Sequence, residues 1–132
     1  MRVADVMQKD VVTVREDATV AEVVTILADA HVSGAPVVNR HGALIGAISA
    51  TDLLLAEAEH DSSEGRERLF RDTVVSELMT PDPLTIDPAE TVKEAARQML
   101  YAEVHRLFVV LDGELLGVIS RSDAARVLAQ AR

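Results

Sequence analysis

The chain repeats itself. Laid over one another, VADVMQKDVVTVREDATVAEVVTILADAHVSGAPVVNRHGALIGAISATD and VSELMTPDPLTIDPAETVKEAARQMLYAEVHRLFVVLDGELLGVISRSD align Val3 with Val75, Met7 with Met79, Thr13 with Thr85 and Thr19 with Thr91, each 72 residues apart. Beyond NRHG in the first copy and the shorter DG in the second, the offset is 71, as Gly46 with Gly117 and Asp52 with Asp123 show. One residue has been lost in a turn, where a deletion is best tolerated. A unit of about 50 residues is marginal alone because too much of its apolar surface stays wet. Two copies in one chain are therefore expected to pack together, sheet against sheet, about a pseudo-two-fold axis.

Each copy reads as a helical entry, a strand, a helix, two strands and a second helix. The first strands are expected near Val11 to Val14 and Leu84 to Ile86. Thr19-Val-Ala-Glu22 and Thr91-Val-Lys-Glu94 fit the capping box, in which the Thr hydroxyl and the Glu three residues on satisfy orphan N–H groups. The helices that follow place Val20, Val23, Val24 and Leu27, or Val92, Ala95, Ala96 and Met99, on one face. APVVN with ALIGAIS, and LFVVL with ELLGVIS, read as pairs of buried strands, and Asp112-Gly113 is a two-residue hairpin signal. The fold class is thus α/β (α+β): two β-α-β-β-α repeats, at 1–58 and 74–132, joined by a polar linker at 59–73 in which Leu69 and Phe70 are either apolar anchors, the expected case, or scattered surface apolars.

Composition narrows the function. A net charge of −9 opposes phosphate-backbone binding, and Phe70, Tyr101 and Phe108 are the only aromatics, so neither duplex nor single-stranded nucleic acid is an expected partner. No apolar run approaches the roughly 20 residues of a membrane span, and no signal segment is evident, which makes the cytoplasm the expected location. There is no Cys, hence no disulfide or thiolate metal site. His31, His41, His60 and His105 do not have metal-ligand spacing, so no metal is expected. His31 closes a helix, where an imidazole complements the dipole.

The two second helices begin with Ser49-Ala-Thr-Asp52 and Ser120-Arg-Ser-Asp123. Both match a capping box, yet the long helices of the same chain use Glu at the fourth position. Asp is expected to reach back to the cap less easily, and capping does not use the extra hydroxyls of Thr51 and Ser122. A nucleotide would use all of them. Hydroxyls at a helix N-terminus suit a phosphate, a carboxylate suits the cis-diol of a ribose, and the Gly ahead of the motif permits close backbone approach.

With these motifs in place, the chain resembles a tandem pair of cystathionine β-synthase (CBS) domains, the Bateman module, and in particular the second CBS pair of the regulatory gamma subunits of AMP-activated protein kinase. The resemblance runs from about Val3 to Leu128 and rests on the order of elements, the PVV or FVV strand and G-h-h-S-x-[ST]-D, each occurring twice. It implies a non-catalytic sensor that requires no cofactor, binds AMP, ADP or ATP in clefts between the repeats, forms disc-like homodimers and regulates a separate protein. In one cleft it places Ser120 and Ser122 on phosphate, Asp123 on the ribose, Arg106 on the phosphate charge, and Asp10, Val11, Val12, Val32, Ser33 and Ala35 around the adenine; Arg121, beside them in the sequence, is a second candidate phosphate partner or a solvated first-turn residue. In the other, Ser49, Thr51 and Asp52 face Pro83, Leu84, Val104, His105 and Leu107. That second cleft has Gly34 where the first has Arg106, and Ala50 where it has Arg121, so it is expected to be weaker, to take a less charged ligand, or to be empty. Alternatives stay open: an S-adenosylmethionine sensor, a structural dimerisation module whose Ser-x-x-Asp stretches are only caps, or a small hydrolase using Asp52 or Asp123. The last lacks a G-x-S-x-G nucleophile elbow around Ser49 or Ser120.

Overall fold

In the computed structural model, which describes residues 1–130, the chain opens on α1 (Val3–Val6) and β1 (Val14–Arg15), followed by α2 (Val20–Ala30), β2 (Gly34–Val38), β3 (Leu44–Ser49) and α3 (Ala50–Ala58). The segment that joins the repeats forms α4 (Ser63–Asp72), then a 3₁₀ turn (Val75–Glu77) and β4 (Thr80–Pro81). The second repeat continues with β5 (Thr85–Ile86), α5 (Val92–Tyr101), β6 (Arg106–Leu111), β7 (Glu114–Ser120) and α6 (Arg121–Gln130). The last two residues of the expected second repeat lie outside the described residues. This is the mixed α/β architecture expected, with six α-helices and two sheets among the described residues. The first strands are shorter than expected and are centred on Val14 and on Thr85–Ile86.

Each repeat folds around one sheet. Strand β1 pairs with β2 in parallel, and β2 with β3 antiparallel, while β5, β6 and β7 repeat that pattern. The β6–β7 hairpin turns on Asp112 and Gly113, both with positive φ (52° and 83°), the geometry of a type I′ turn. The hydroxyl half of each expected cap forms, whereas the reciprocal bond to the Glu carboxylate forms at Glu22 and not at Glu94. The Thr19 and Thr91 hydroxyls accept the N–H groups of Glu22 (3.2 Å) and Glu94 (3.1 Å).

The compact units do not coincide with the sequence repeats. One comprises Val12–Asp82, the other Met1–Val11 with the described residues from Pro83 onward, so each repeat's entry segment packs with the other repeat's sheet. Val3 is fully buried among Val92, Met99, Val109 and Ile119, and Gln8 bridges Val118 antiparallel. In the other unit, Val75 is buried with Val14, Val23 and Val37, and β4 adds an antiparallel edge to β3 at Gly46 and Ala47. Repeat alignment alone conceals this exchange, because Val3 and Val75 have the same local surroundings in sequence.

The polar linker is a helix. Ser62 caps α4, its Oγ accepting the Gly65 N–H at 3.0 Å, and Leu69 is 5% exposed in a small core with Val20 and Ala56. The expected anchoring by Leu69 is therefore seen, with Phe70 half-buried against the same cluster.

Candidate functional site

Strand β7 delivers Ser120 to the start of α6. The Ser120 Oγ accepts the Asp123 N–H at 3.1 Å, and Asp123 Oδ2 accepts the Ser120 N–H at 3.0 Å. The first repeat does the same with Ser49 and Asp52, at 3.2 and 3.0 Å. The expectation that Asp reaches back poorly is thus corrected. Glu22 manages only 3.4 Å to the Thr19 N–H, and Glu94 instead holds Arg97 and Gln98. With the cap residue extended, as Ser49 is at φ −125° and ψ 161°, the shorter side chain is sufficient to close the box. Capping therefore accounts for both Asp residues, and the exposed hydroxyls of Thr51 and Ser122 are what it leaves unused.

The motif glycines are corrected too. A Cβ at Gly117 would stand 2.6 Å from the Gln8 carbonyl oxygen, and one at Gly46 would collide with the Met79 sulfur. The close approach is made by the protein's own entry segments, which lie across the strands at these points.

Around Ser120 the second-repeat unit has a cavity of about 320 Å³ lined by Gln8, His105, Arg106, Val118, Ser120, Arg121, Ser122 and Asp123. Arg106 opens β6 directly opposite Ser120 in register and is exposed. Among the described residues its guanidinium makes no ion pair and no hydrogen bond. Asp123 is 3% exposed, the one buried charged residue described. Its second oxygen accepts from Arg126 Nη2 at 2.8 Å, so its charge is compensated from the solvent side. A carboxylate offers about four acceptor positions and two are used, which leaves capacity for a further donor. Hydroxyls, a free guanidinium and the positive end of a ten-residue helix converge on one opening, a combination suited to an oxyanion.

Arg121 stands differently. Its Nε donates to the Val104 carbonyl at 2.8 Å and its Nη2 to that of Met99 at 3.2 Å, so two of the guanidinium's five donors are engaged on carbonyls of the last turn of α5 and of the turn that follows it.

The other expected residues divide between the two compact units. Asp10, exposed, and Val11, half-buried, belong to the second-repeat unit; Val12, Val32, Ser33 and Ala35 belong to the other, where Ala35 is a core residue opposite Ile48. Leu84 and Leu107 line a separate cavity of about 500 Å³ with Arg97, Gln98, Tyr101 and Ala102. His105 lies instead on the cavity of Arg106, Val104 packs against the core, and Pro83 is half-buried. Beside the 500 Å³ cavity, the hydrogen bond from Arg97, reinforced by one from Gln98, holds the Glu94 carboxyl below its ordinary value.

Two residues of the site escape sequence reasoning. Gln8 arrives with the exchanged entry segment, which no local pattern announces. Arg126 carries a signal, the i,i+3 spacing of acid and base on one helix.

Comparison with known proteins agrees with the fold. The family model for the CBS domain matches residues 3–59 and 75–130. The chain is 29% identical over 138 residues to the chloroplastic CBS domain-containing protein CBSX2 of Arabidopsis thaliana, covering 89% of this chain and 58% of that one. To the gamma-3 subunit of 5'-AMP-activated protein kinase from Bos taurus it is 33% identical over 126 residues, covering 91% of this chain and 24% of the subunit. Of MJ1225 from Methanocaldococcus jannaschii (29% identical, 96% of this chain) it covers 42%, so it spans about half the length of such relatives. The crystal structure of CBSX2 in complex with AMP superposes with a TM-score of 0.80 at 31% identity, covering 98% of this chain and 97% of that one. The CBS domain of a CBS domain-containing membrane protein from Sphaerobacter thermophilus follows at 0.78 and 30%, with 96% and 86% covered. Among the described residues of this chain, no helix is long and apolar enough to cross a membrane. Duplicated motif, duplicated fold and duplicated family match coincide: the chain belongs to the CBS domain family and carries two CBS domains forming a CBS pair.

Proposed function

We propose that this CBS pair is a non-catalytic regulatory module that binds an adenosine nucleotide, with AMP or ATP the leading ligands, and reports its level to a partner protein as a homodimer. The observation that carries the reading is the free Arg106 guanidinium beside Ser120 in the lining of a cavity of about 320 Å³, a volume within the ~300–1,000 Å³ of small-molecule sites. The AMP complex of CBSX2, similar over nearly the whole of both chains, supports the adenosine class. Arg106 supplies the cation, Ser120 and Ser122 the hydroxyl donors, and Asp123 its remaining acceptor positions for a ribose. Arg121 is left out of the phosphate set because its Nε and Nη2 hold the Val104 and Met99 carbonyls, whereas Arg106 makes no such bond among the described residues. Signalling follows from linkage: the ligand shifts the module only as far as it binds one arrangement better than another.

A second reading, a structural dimerisation module without a ligand, is favoured by the complete capping boxes at Asp52 and Asp123. A thermal-shift screen with AMP, ADP, ATP and S-adenosylmethionine separates the two. A native-state ligand at 100 times its Kd adds about 2.7 kcal/mol of stability. The sensor reading expects a shift with a nucleotide that Arg106→Ala reduces, with AMP affinity falling about tenfold or more while adenosine affinity holds. Absence of any shift in ligand-free protein would sink it in favour of the second reading.

A further inference from the structure

We infer that Arg121 is a positioning residue for the anion site: it clamps the loop that presents His105 and Arg106, and does not contact the anion itself. The inference rests on the proposed nucleotide reading. Two side-chain bonds carry it, beside a backbone bond that the first repeat shares. The Arg121 N–H donates to the His105 carbonyl at 3.0 Å. From the same residue Nε reaches the Val104 carbonyl at 2.8 Å and Nη2 that of Met99 at 3.2 Å. One side chain in the first turn of α6 thereby ties down both the last carbonyls of α5 and the turn leading into β6. That turn is one the chain has reason to fix, because Glu103 within it holds a positive φ of 57° and Val104 N–H folds back to Met99 O at 3.0 Å. Arg106 follows two residues after the clamped carbonyl.

The first repeat is an internal control. Its turn has the same shape, with His31 at φ 55°, Val32 N–H to Leu27 O at 3.1 Å and Ala50 N–H to Ser33 O at 2.8 Å. Ala50 has no side chain to clamp it, and the residue in place of Arg106 is Gly34. Clamp and cation are present together in one copy and absent together from the other. A planar fork with several fixed donors can hold two carbonyls at once, which an ammonium on a flexible stem does less well.

The test is a double-mutant cycle on AMP and adenosine affinity by titration calorimetry, with amide exchange of residues 102–106 in the ligand-free protein. Arg121→Ala is expected to lower AMP affinity about tenfold, nearly as much as Arg106→Ala, with adenosine affinity unchanged, because a loosened Arg106 no longer offers a prepaid geometry. In the Arg106→Ala background it should add almost nothing. Arg121→Lys, which keeps the charge, should behave like Arg121→Ala, and exchange in the loop should accelerate in both. Additive losses from Arg106→Ala and Arg121→Ala, or full affinity in Arg121→Lys, would overturn the inference and make Arg121 a direct anion ligand. An equal loss of AMP and adenosine affinity would overturn it in favour of general destabilisation. If the parent protein binds neither ligand, the functional reading falls and takes the inference with it; if the parent binds and only the cycle disagrees, the functional reading stands.

Discussion

Ser49 and Ser120 start their helices identically, yet their surroundings diverge. The same pair of reciprocal bonds closes both caps within 0.1 Å. Around Ser120 stand Arg106, Arg121 and Arg126; the aligned positions around Ser49 are Gly34, Ala50 and Leu55. The cap is thus a property of the repeat and the cationic shell a property of one copy. The first copy has also closed over its missing side chain: a Cβ at Gly34 would lie 2.9 Å from the Ile48 carbonyl oxygen, so β3 occupies space that a side chain would need. Restoring a cation there requires moving backbone, and the two sites have diverged beyond a single substitution.

Experiments that cut the two copies at matched positions sharpen this contrast. The largest effect is expected where the copies differ in architecture. Leu69→Ala removes the anchor of α4 from the Val20 and Ala56 cluster, a feature peculiar to the first-repeat unit, and should cost about 2–5 kcal/mol in urea denaturation. Gly117→Ala should cost about 1–3 kcal/mol, since its Cβ meets the fixed Gln8 carbonyl oxygen. Gly46→Ala should cost less, because the nearest obstacle is the flexible Met79 side chain; equal losses would contradict this account of the exchanged entry segments. Asp52→Ala and Asp123→Ala each lose a cap, about 1 kcal/mol. Asp123→Ala should be the larger loss because its carboxylate is almost wholly buried and also holds Arg126, whereas Asp52 has no such partner among the described residues.

The smallest effect concerns the long helices. Glu94 is held below its ordinary value by Arg97, while the residue aligned with Arg97 in the first repeat is Thr25, and Glu22 accepts from Thr19 instead. A depressed carboxylate contributes stability that is full above its unfolded-state value and is lost as pH falls through the folded-state value. Acidification through the carboxylate range should therefore cost the parent protein slightly more stability than Arg97→Ala. In the variant, the Glu94 titration followed by NMR should move up toward the ordinary carboxylate range.

Much of the fold was legible because periodicity and cap chemistry act locally. Thr19, Thr91, Ser49 and Ser120 all start helices, Asp112-Gly113 turns the hairpin, and APVV and LFVV are buried strands. The linker helix was less legible, since its apolar content is confined to Leu69 and Phe70 and its stability comes from what Leu69 touches. The candidate site divides the same way. Ser120, Ser122 and Asp123 could be named from the repeat, and Arg106 from the resemblance to CBS pairs. The preference of Asp123 for its cap, the diversion of Arg121 to carbonyls and the arrival of Gln8 could not.

By itself the sequence determined the duplication, the element order, the caps and the uneven placement of arginine between the copies, because each is fixed by residue identity at short range. Only the tertiary structure decided which entry segment completes which sheet and which arginines remain free to meet an anion. Those outcomes depend on backbone carbonyls and glycine surfaces brought together from distant parts of the chain, and a side chain's charge does not reveal which partner has already taken it.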